Sequence, residues 1–454
     1  MQRVLLFLFG LVLAVAPLPL ASNRDWSWSP LALSVGVLLM LCGVEIARDR
    51  DAYRRTLTNA PSLLVPFALT AMVILWALVQ ASDWTPASWA SPFSAAGVLG
   101  ASTGGRSVAL NHEAVFVGVM RLLLNAGAFL IAAVLASSVP NARRLLGTIV
   151  IVATVTTLYA MIALVVNGQA PKTGFSIWTP HDGFFSGTFV NSGNYATYAG
   201  VAAIAALSLA LRPRRDYAPE SLRQRWRRRL AMVSGSAGFW LANALILMMG
   251  VLFSESKAGL LSLILCLTIM AVLYSHGAKR IVWLVVMPLT IAAVALLLPG
   301  GRSTVSRMMA LAAEGDDSRL QLYAMALDAI RQRPWTGWGL NSFQGLFPIF
   351  QPISMPQPYD KVHNTYLELA FDLGLPAAAA LLAGVLWIVR QCVVGFFQRS
   401  RDAELPGVAM LAAVFVGFHA LFDFGIQIPA MAVTFFAILG IGWTQSWPTG
   451  GRRF

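Results

Sequence analysis

Three cationic or titratable side chains stand out because of where they fall. Lys257 closes a four-residue connection, Ser254-Glu255-Ser256-Lys257, between two long apolar runs, which pins its ammonium at a bilayer boundary. Arg319 begins a segment with helical apolar spacing and has Tyr323 four residues on, while His363 is followed by Asn364 and Tyr366. A further polar stretch, Phe185 to Asn194, contains Asn191 and leads into another apolar run, and Arg121 lies several residues inside one. Charges at the centre of a membrane helix cost about 2.5–3.5 kcal/mol each on insertion scales, so ionisable groups in or beside spans are functional candidates. Cations at an interface suit a phosphate or diphosphate, because they neutralise charge that builds on a leaving group. A neutral imidazole can take a proton from an attacking hydroxyl. Together the set fits displacement of a lipid diphosphate by an alcohol. The leaving group is already activated, so this chemistry needs neither ATP nor a cofactor.

Each residue also has a plainer reading. Lys257 fits a snorkelling topology residue, Arg319 a helix-surface charge paired with Asp316 or Asp317, and His363 a satisfied loop histidine. Arg121 either snorkels to the outer surface or helps hold an anion. Glu314, Asp316 and Asp317 lack regular ligand spacing and read as a solvated turn, so no metal site is expected. Cys42, Cys266 and Cys392 are isolated packing residues, which supports neither a zinc site nor a disulfide framework. His112, His181 and His276 have no partner pattern.

The elements that must position these groups follow from composition. Of 454 residues, 57% are hydrophobic and 12% charged, and the mean hydropathy is +0.68. Soluble domains carry roughly a quarter charged residues, so a water-soluble enzyme, a disulfide scaffold and a nucleic-acid partner are excluded. The apolar runs match the ~17–25 residues that cross a bilayer, and the chain reads as an all-α polytopic membrane protein of about twelve transmembrane helices. The spans read at 4–21, 29–47, 61–81, 115–138, 145–166, 193–211, 231–253, 258–275, 281–298, 374–395, 406–424 and 429–446. With the N-terminus inside, every inner connection is basic: Arg48 to Arg55, Arg143 and Arg144, the 212–229 run, Lys279 and Arg280, Arg399 and Arg401, and Arg452 and Arg453. Most of the net charge of +13 is therefore a topology signal that places both termini in the cytoplasm. Residues 1–22 resemble a signal peptide in pattern but read as a retained first span.

Two outer connections are long. Residues 82–114 are rich in Gly, Ser and Ala and show no role. Residues 299–373 form a 75-residue loop, far longer than a bare connector. In it, Asp317 or Ser318 can cap a helix whose apolar stripe is Leu320, Tyr323, Leu327 and Ile330, ended by Pro334 and the turn Gly337-Trp338-Gly339. A second helix is expected from Tyr359–Asp360 through His363, Leu367 and Ala370 to a break at Gly374 and Pro376. Two amphipathic helices would form a lid or platform on the outer face. The chain thus divides into spans one to nine (1–298), the large loop (299–373), and spans ten to twelve with a short tail (374–454).

Five segments carry a resemblance: FSGTFVNSGNYATYAG (185–200), SESKAGLLSL (254–263), SRLQLYAMALDAIRQRPWTGWGLNSF (318–343), VHNTYLELAFDLGLPAA (362–378) and HALFDFGIQIPA (419–430). In this order they resemble the O-antigen ligase/polymerase superfamily, bacterial inner-membrane proteins that transfer glycans from undecaprenyl diphosphate. The resemblance implies a GT-C-like, metal-independent transferase with its active site on the periplasmic side. It implies His363 as the base that activates the acceptor hydroxyl, and Arg319 as the loop arginine that holds the diphosphate. Lys257 falls where many members have arginine, keeping the charge but losing the bidentate fork. Asn191, Tyr323, Asn364 and Arg121 are possible substrate contacts. His419, Asp423 and Gln427 match a polar patch of structural or acceptor-side character. The implied donor is an undecaprenyl-diphosphate-linked glycan, in contact with membrane lipid. Three acceptors stay open: a lipid A-core sugar (ligase, favoured), another lipid-linked chain (polymerase), or a protein Ser/Thr. From a different class, a secondary transporter shares the twelve-span layout with its basic central loop, but no internal repeat is visible and the late outer loop is too large. Cysteine labelling with a membrane-impermeant maleimide in intact cells should reach residue 363 from outside and the 212–229 run only after permeabilisation. Labelling of residue 363 solely from the cytosol would remove the proposed chemistry.

Overall fold

Inside a bilayer the backbone must satisfy its own polar groups, which for uninterrupted apolar runs means helices. In the computed structural model every regular element among the described residues is a helix. The description covers residues 1–93, 106–167, 185–211, 235–274, 317–352 and 359–447. Among the described residues eight helices or helix pairs are long and apolar enough to span: α2 (Asp25–Arg48), α3 with α4 (Arg54–Asn59 and Leu64–Gln80), α5 (His112–Leu135), α6 (Val139–Asn167), α7 (Ser192–Leu211), α8 (Ser236–Phe253), α9 (Lys257–Tyr274) and α13 (Leu375–Gln398). Three more apolar helices are shorter: α1 (Gln2–Val15), α14 (Glu404–His419) and α15 (Pro429–Thr444). These eleven fall on eleven of the expected spans. The expected span 281–298, the loop up to 316, the 212–229 run, His181, His276, Lys279, Arg280, Glu314, Asp316, Arg452 and Arg453 lie outside the described residues. Three limits shift. The first span stops at Val15, before a left-handed run at Leu20, Ala21 and Ser22; the eleventh stops at His419 rather than 424; α6 starts at Val139.

Helix α7 is the hub, with 89% of its apolar window buried against 22–44% for the other long helices. Its sequence, SGNYATYAGVAAIAALSLAL, explains this: small side chains let neighbours approach the backbone closely. Phe415 of α14, for example, lies directly over Gly200. The thinner helices present Leu, Val and Phe outward, as lipid-facing surfaces do. At the end remote from His363, Arg143 reaches Asp402 at 2.5 Å and Glu404 at 2.6 Å, and buried Arg399 donates to the carbonyls of Gln445 and Trp447 at 2.6 and 2.8 Å. The three cysteines are buried and free.

The large loop builds a small core of its own from Leu322, Ala326, Ala329, Ile330, Trp338, Phe343, Phe347, Val362 and Phe371. Its first described helix, α10 (Asp317–Gln332), matches the expected element, and its packed face keeps Tyr323 and Ile330 of the expected stripe but not Leu320 and Leu327. Leu320 and Leu327 are 64% and 40% exposed, while Leu322, Ala326 and Ala329 are buried. Alanines carry little hydropathy, so the packing face is turned by about one residue from the side with the large apolar groups. A short helix, α11 (Phe343–Leu346), follows. The second expected helix begins later, as α12 (Thr365–Leu373), because Asn364 caps it and His363 has φ +56°. Gly337 and Gly339, at φ +64° and +114°, make the tight turn, and a side chain on Gly337 would collide with the backbone of Asp372 and Gly374.

The described residues of the 82–114 connection, which show no role by their types, pack onto this core. Phe93 stacks on Trp338 with centroids 5.8 Å apart, and Arg333 lies over Trp338 while donating to the carbonyls of Trp89 and Val108. Gln80, fully buried at the end of α4, ties the loop to the bundle. Its Nε2 donates to the carbonyls of Thr336 (2.7 Å) and Asp372 (2.9 Å), and its Oε1 accepts from Leu340 N–H (3.1 Å). Gln80→Leu orphans the Thr336 carbonyl and the Leu340 N–H and leaves the Asp372 carbonyl only its bond from Gly339 N–H, a loss of about 2–4 kcal/mol. Thermal unfolding of the solubilised protein should show it as a lowered Tm, with proteolysis of the 317–373 segment appearing first.

Candidate functional site

His363 is held in a left-handed backbone conformation by a dense set of bonds. After it, Asn364 Oδ1 accepts from the N–H groups of Tyr366 (3.0 Å) and Leu367 (3.1 Å), the two orphan donors a helix cap must satisfy. Before it, buried Glu368 accepts from Val362 N–H (3.1 Å) and pairs with Lys361 (2.9 Å). Tyr323 Oη donates to the His363 carbonyl (3.0 Å). Thr365 then staples the segment to the far end of α14: its N–H donates to Ala420 O (2.9 Å) and its Oγ1 to Asp423 O (3.1 Å). Tyr366 Oη reaches Gly417 O at 2.7 Å.

The His363 ring lies edge-on to Phe424, with centroids 5.0 Å apart, and its Nδ1 is 3.4 Å from Asp423 Oδ1. The contact is close enough for a charge interaction but falls short of hydrogen-bond geometry. Asp423 is 8% exposed. Burial pushes its carboxyl up, but the neighbouring His363 and His419 and the Phe424 N–H (2.9 Å) prevail, and the group sits below the usual carboxylate range. Its Oδ2 occupies the space where a side chain on Gly193 would be, against the first turn of α7. The N-terminal end of a helix favours an anion. That end is capped by Asn191, whose Oδ1 accepts from Gly193 N–H (2.7 Å) and Asn194 N–H (3.2 Å).

The two candidate cations sit on elements that border this cluster. Arg319 is one helical turn before Tyr323 on α10. Lys257 is the first residue of α9, after Glu255 at φ +55°, and Ser256 Oγ accepts from Gly259 N–H (3.1 Å) in that turn. Gly259 packs against Ala196, one turn into α7, which brings the Lys257 end of α9 beside the helix end that Asp423 contacts. Arg121 has its guanidinium 5.4 Å from the Trp28 ring centroid. It lines a largely apolar cavity of about 570 Å³ with Asn341, Tyr366, Leu382 and Phe435. Asn191, Asn364 and Tyr323, read as possible substrate contacts, thus have framework bonds in the structure: two caps and one clamp. Thr197, Thr365 and Glu368 were not foreseen. Glu368 stands in the segment VHNTYLELAFDLGLPAA (362–378), whereas a lone Thr in an Ala-rich span carries no signal. Among the described residues no group of three or more His, Cys, Asp or Glu is placed to hold a metal ion, and His112 bonds Ser107 at 3.0 Å.

Residues 242–382 match the family model described as O-antigen ligase. The match takes in Lys257, Arg319 and His363 and stops short of Asp423. The chain has no match among curated proteins.

A carboxyl with a lowered pKa stabilises the fold above the ordinary value and loses that contribution as pH falls through the lowered one. The Tm difference between wild type and Asp423→Asn should therefore hold constant down to about pH 4 and shrink below it. A difference that instead grows on acidification would show that the ionised carboxylate is not the stabilising form.

Proposed function

Taking the O-antigen ligase/polymerase superfamily, which the 242–382 match supports, as its family, we propose that this membrane protein is a glycan transferase of the ligase type. The donor is an undecaprenyl-diphosphate-linked glycan in the outer leaflet of the bacterial inner membrane, and the acceptor is a hydroxyl of a lipid A-core sugar. The observation that carries this reading is the His363–Asp423 contact, an imidazole whose Nδ1 lies 3.4 Å from a buried carboxylate. His363 Nε2 takes the proton as the acceptor oxygen attacks the anomeric carbon. The bond from that carbon to the diphosphate oxygen breaks, with inversion, and undecaprenyl diphosphate leaves. Asp423 stabilises the imidazolium that results. Arg319 and Lys257 neutralise charge on the diphosphate, Arg319 by a bidentate fork and Lys257 as a point charge. The site faces the periplasm and both termini the cytoplasm.

Isotope-labelled lipid-diphosphate glycan, incubated with solubilised protein and acceptor, tests the reading. A covalent product should form without a sealed membrane, which a transporter would not give. His363→Ala should lower the rate about 10²–10⁴-fold at equal expression, and Arg319→Ala should cost more than Arg319→Lys. Transfer by His363→Ala within a few-fold of wild type would remove the base. Deletion in the native host separates the acceptors. Loss of long chains from lipopolysaccharide supports the ligase, and a one-repeat phenotype the polymerase.

A further inference from the structure

One cavity in the bundle carries a charge that no side chain answers. The space of about 570 Å³ lies between α5, α13, α14 and α15, and its wall is mostly apolar. On α13 the lining residues Leu381, Leu382, Val385, Leu386 and Val389 share one helix face, a stripe roughly 12 Å long at about 1.5 Å per residue. Leu386 in that stripe is 64% exposed, so the shaft opens sideways on a face that lipid would cover.

Most polar groups in the wall are committed. Tyr366 Oη donates to Gly417 O, Asn341 Nδ2 to Ala114 O (3.2 Å), and Thr365 Oγ1 to Asp423 O. Glu368 pairs with Lys361 and accepts from Val362 N–H, while Asp372 accepts from the N–H groups of Asn341 (2.7 Å) and Phe343 (3.2 Å). Arg121 is different. Its Nε is buried with no hydrogen-bond partner, and among the described residues no carboxylate comes within ion-pair distance of it. Asp25 instead accepts from the Trp28 indole (2.9 Å). Asn125, one turn further along α5, and Gln427 also line the cavity and have no side-chain hydrogen bond among the described residues. Trp28, over which the guanidinium lies, belongs to the first turn of α2. The two helices run in the same direction, since Val35 lies over Gly127 further along. The charge is therefore held near the helix ends, at headgroup depth, while the shaft runs deeper.

A cation beside an apolar shaft between membrane helices selects an anion that carries a hydrocarbon chain. A single guanidinium balances a single charge, which fits a phosphodiester rather than a diphosphate. Lys257 and Arg319 do not line the cavity, nor do His363 and Asp423. We propose that it is a site for one anionic glycerophospholipid. The phosphodiester sits on Arg121, the ester oxygens take the amide N–H groups of Asn125 and Gln427, and one acyl chain follows the α13 stripe. One wall of the cavity is the staple that holds the His363 segment: Thr365, Tyr366, Gly417 and Ala420 all line it. A chain packed there buttresses the bonds from Thr365 N–H to Ala420 O and from Tyr366 Oη to Gly417 O. The site does not depend on reading His363 as the base.

Native mass spectrometry of the full-length solubilised protein, titrated with phosphatidylglycerol or phosphatidylethanolamine of matched chains, tests the proposal. One phosphatidylglycerol should bind about tenfold more tightly than phosphatidylethanolamine, whose own ammonium already answers its phosphate. Arg121→Gln should abolish that preference and Arg121→Lys should keep part of it; Arg121→Met makes the same measurement should the glutamine variant not fold. Leu382→Trp, which fills the shaft and leaves the charge, should weaken both lipids. Phosphatidylglycerol should also slow amide hydrogen exchange across residues 363–373 in the wild type and not in Arg121→Gln. Equal affinity for the two lipids, an undiminished preference in Arg121→Gln, or unchanged exchange on binding would each overturn the proposal. So would displacement of the phospholipid at comparable affinity by undecaprenyl diphosphate or lipid A, because the cavity would then belong to a substrate. Full transfer by His363→Ala would remove the base and leave every one of these outcomes as it stands, which separates the two readings.

Discussion

A carboxylate with little access to water joins three parts of this molecule that are far apart in sequence. Asp423 belongs to the turn after α14, its Oδ1 faces His363 from the 299–373 loop, and its Oδ2 rests on the first turn of α7. An isolated charge in such surroundings would lose several kcal/mol of solvation. Here the Phe424 N–H, an imidazole and the positive end of a helix replace water. Because each partner comes from a different element, the packing of the bundle and the readiness of His363 are one requirement.

The surrounding bonds follow the same logic. Nearly every polar group near His363 is committed: Asn364 and Asn191 to helix caps, Tyr323 and Thr365 to carbonyls, Glu368 to Lys361 and Val362. The loop core and Gln80 carry that rigidity down to α4 and across to Trp89 and Phe93. Rigid first contacts supported by a bonded shell are what a site needs when its work is orientation and charge placement.

Much of the scaffold could be read from the chain, because a helix long enough to cross a bilayer announces itself by composition. What escaped reading shares one cause: the decisive interaction is not periodic. On α10 the stripe holds at Tyr323 and Ile330 but not at Leu320 and Leu327, because Leu322 and the small Ala326 and Ala329 pack inward in their place. The start of α12 was set at Tyr359–Asp360 by spacing, while one amide oxygen on two N–H groups moves it to Thr365. His363, Arg319 and Lys257 could be chosen because ionisable groups beside membrane spans are conspicuous. Thr197 could not, since its neighbours in α7 advertise nothing but small size, and its partner, His419, lies more than two hundred positions later.

Gly193 carries a consequence of its own. The absent side chain is the berth that Asp423 Oδ2 fills. One added methyl there would wedge the acid away from its helix and, through it, from the imidazole, while leaving every reacting atom chemically intact. Drift at such a codon could abolish turnover in a protein that still inserts, folds and carries a complete set of reactive groups.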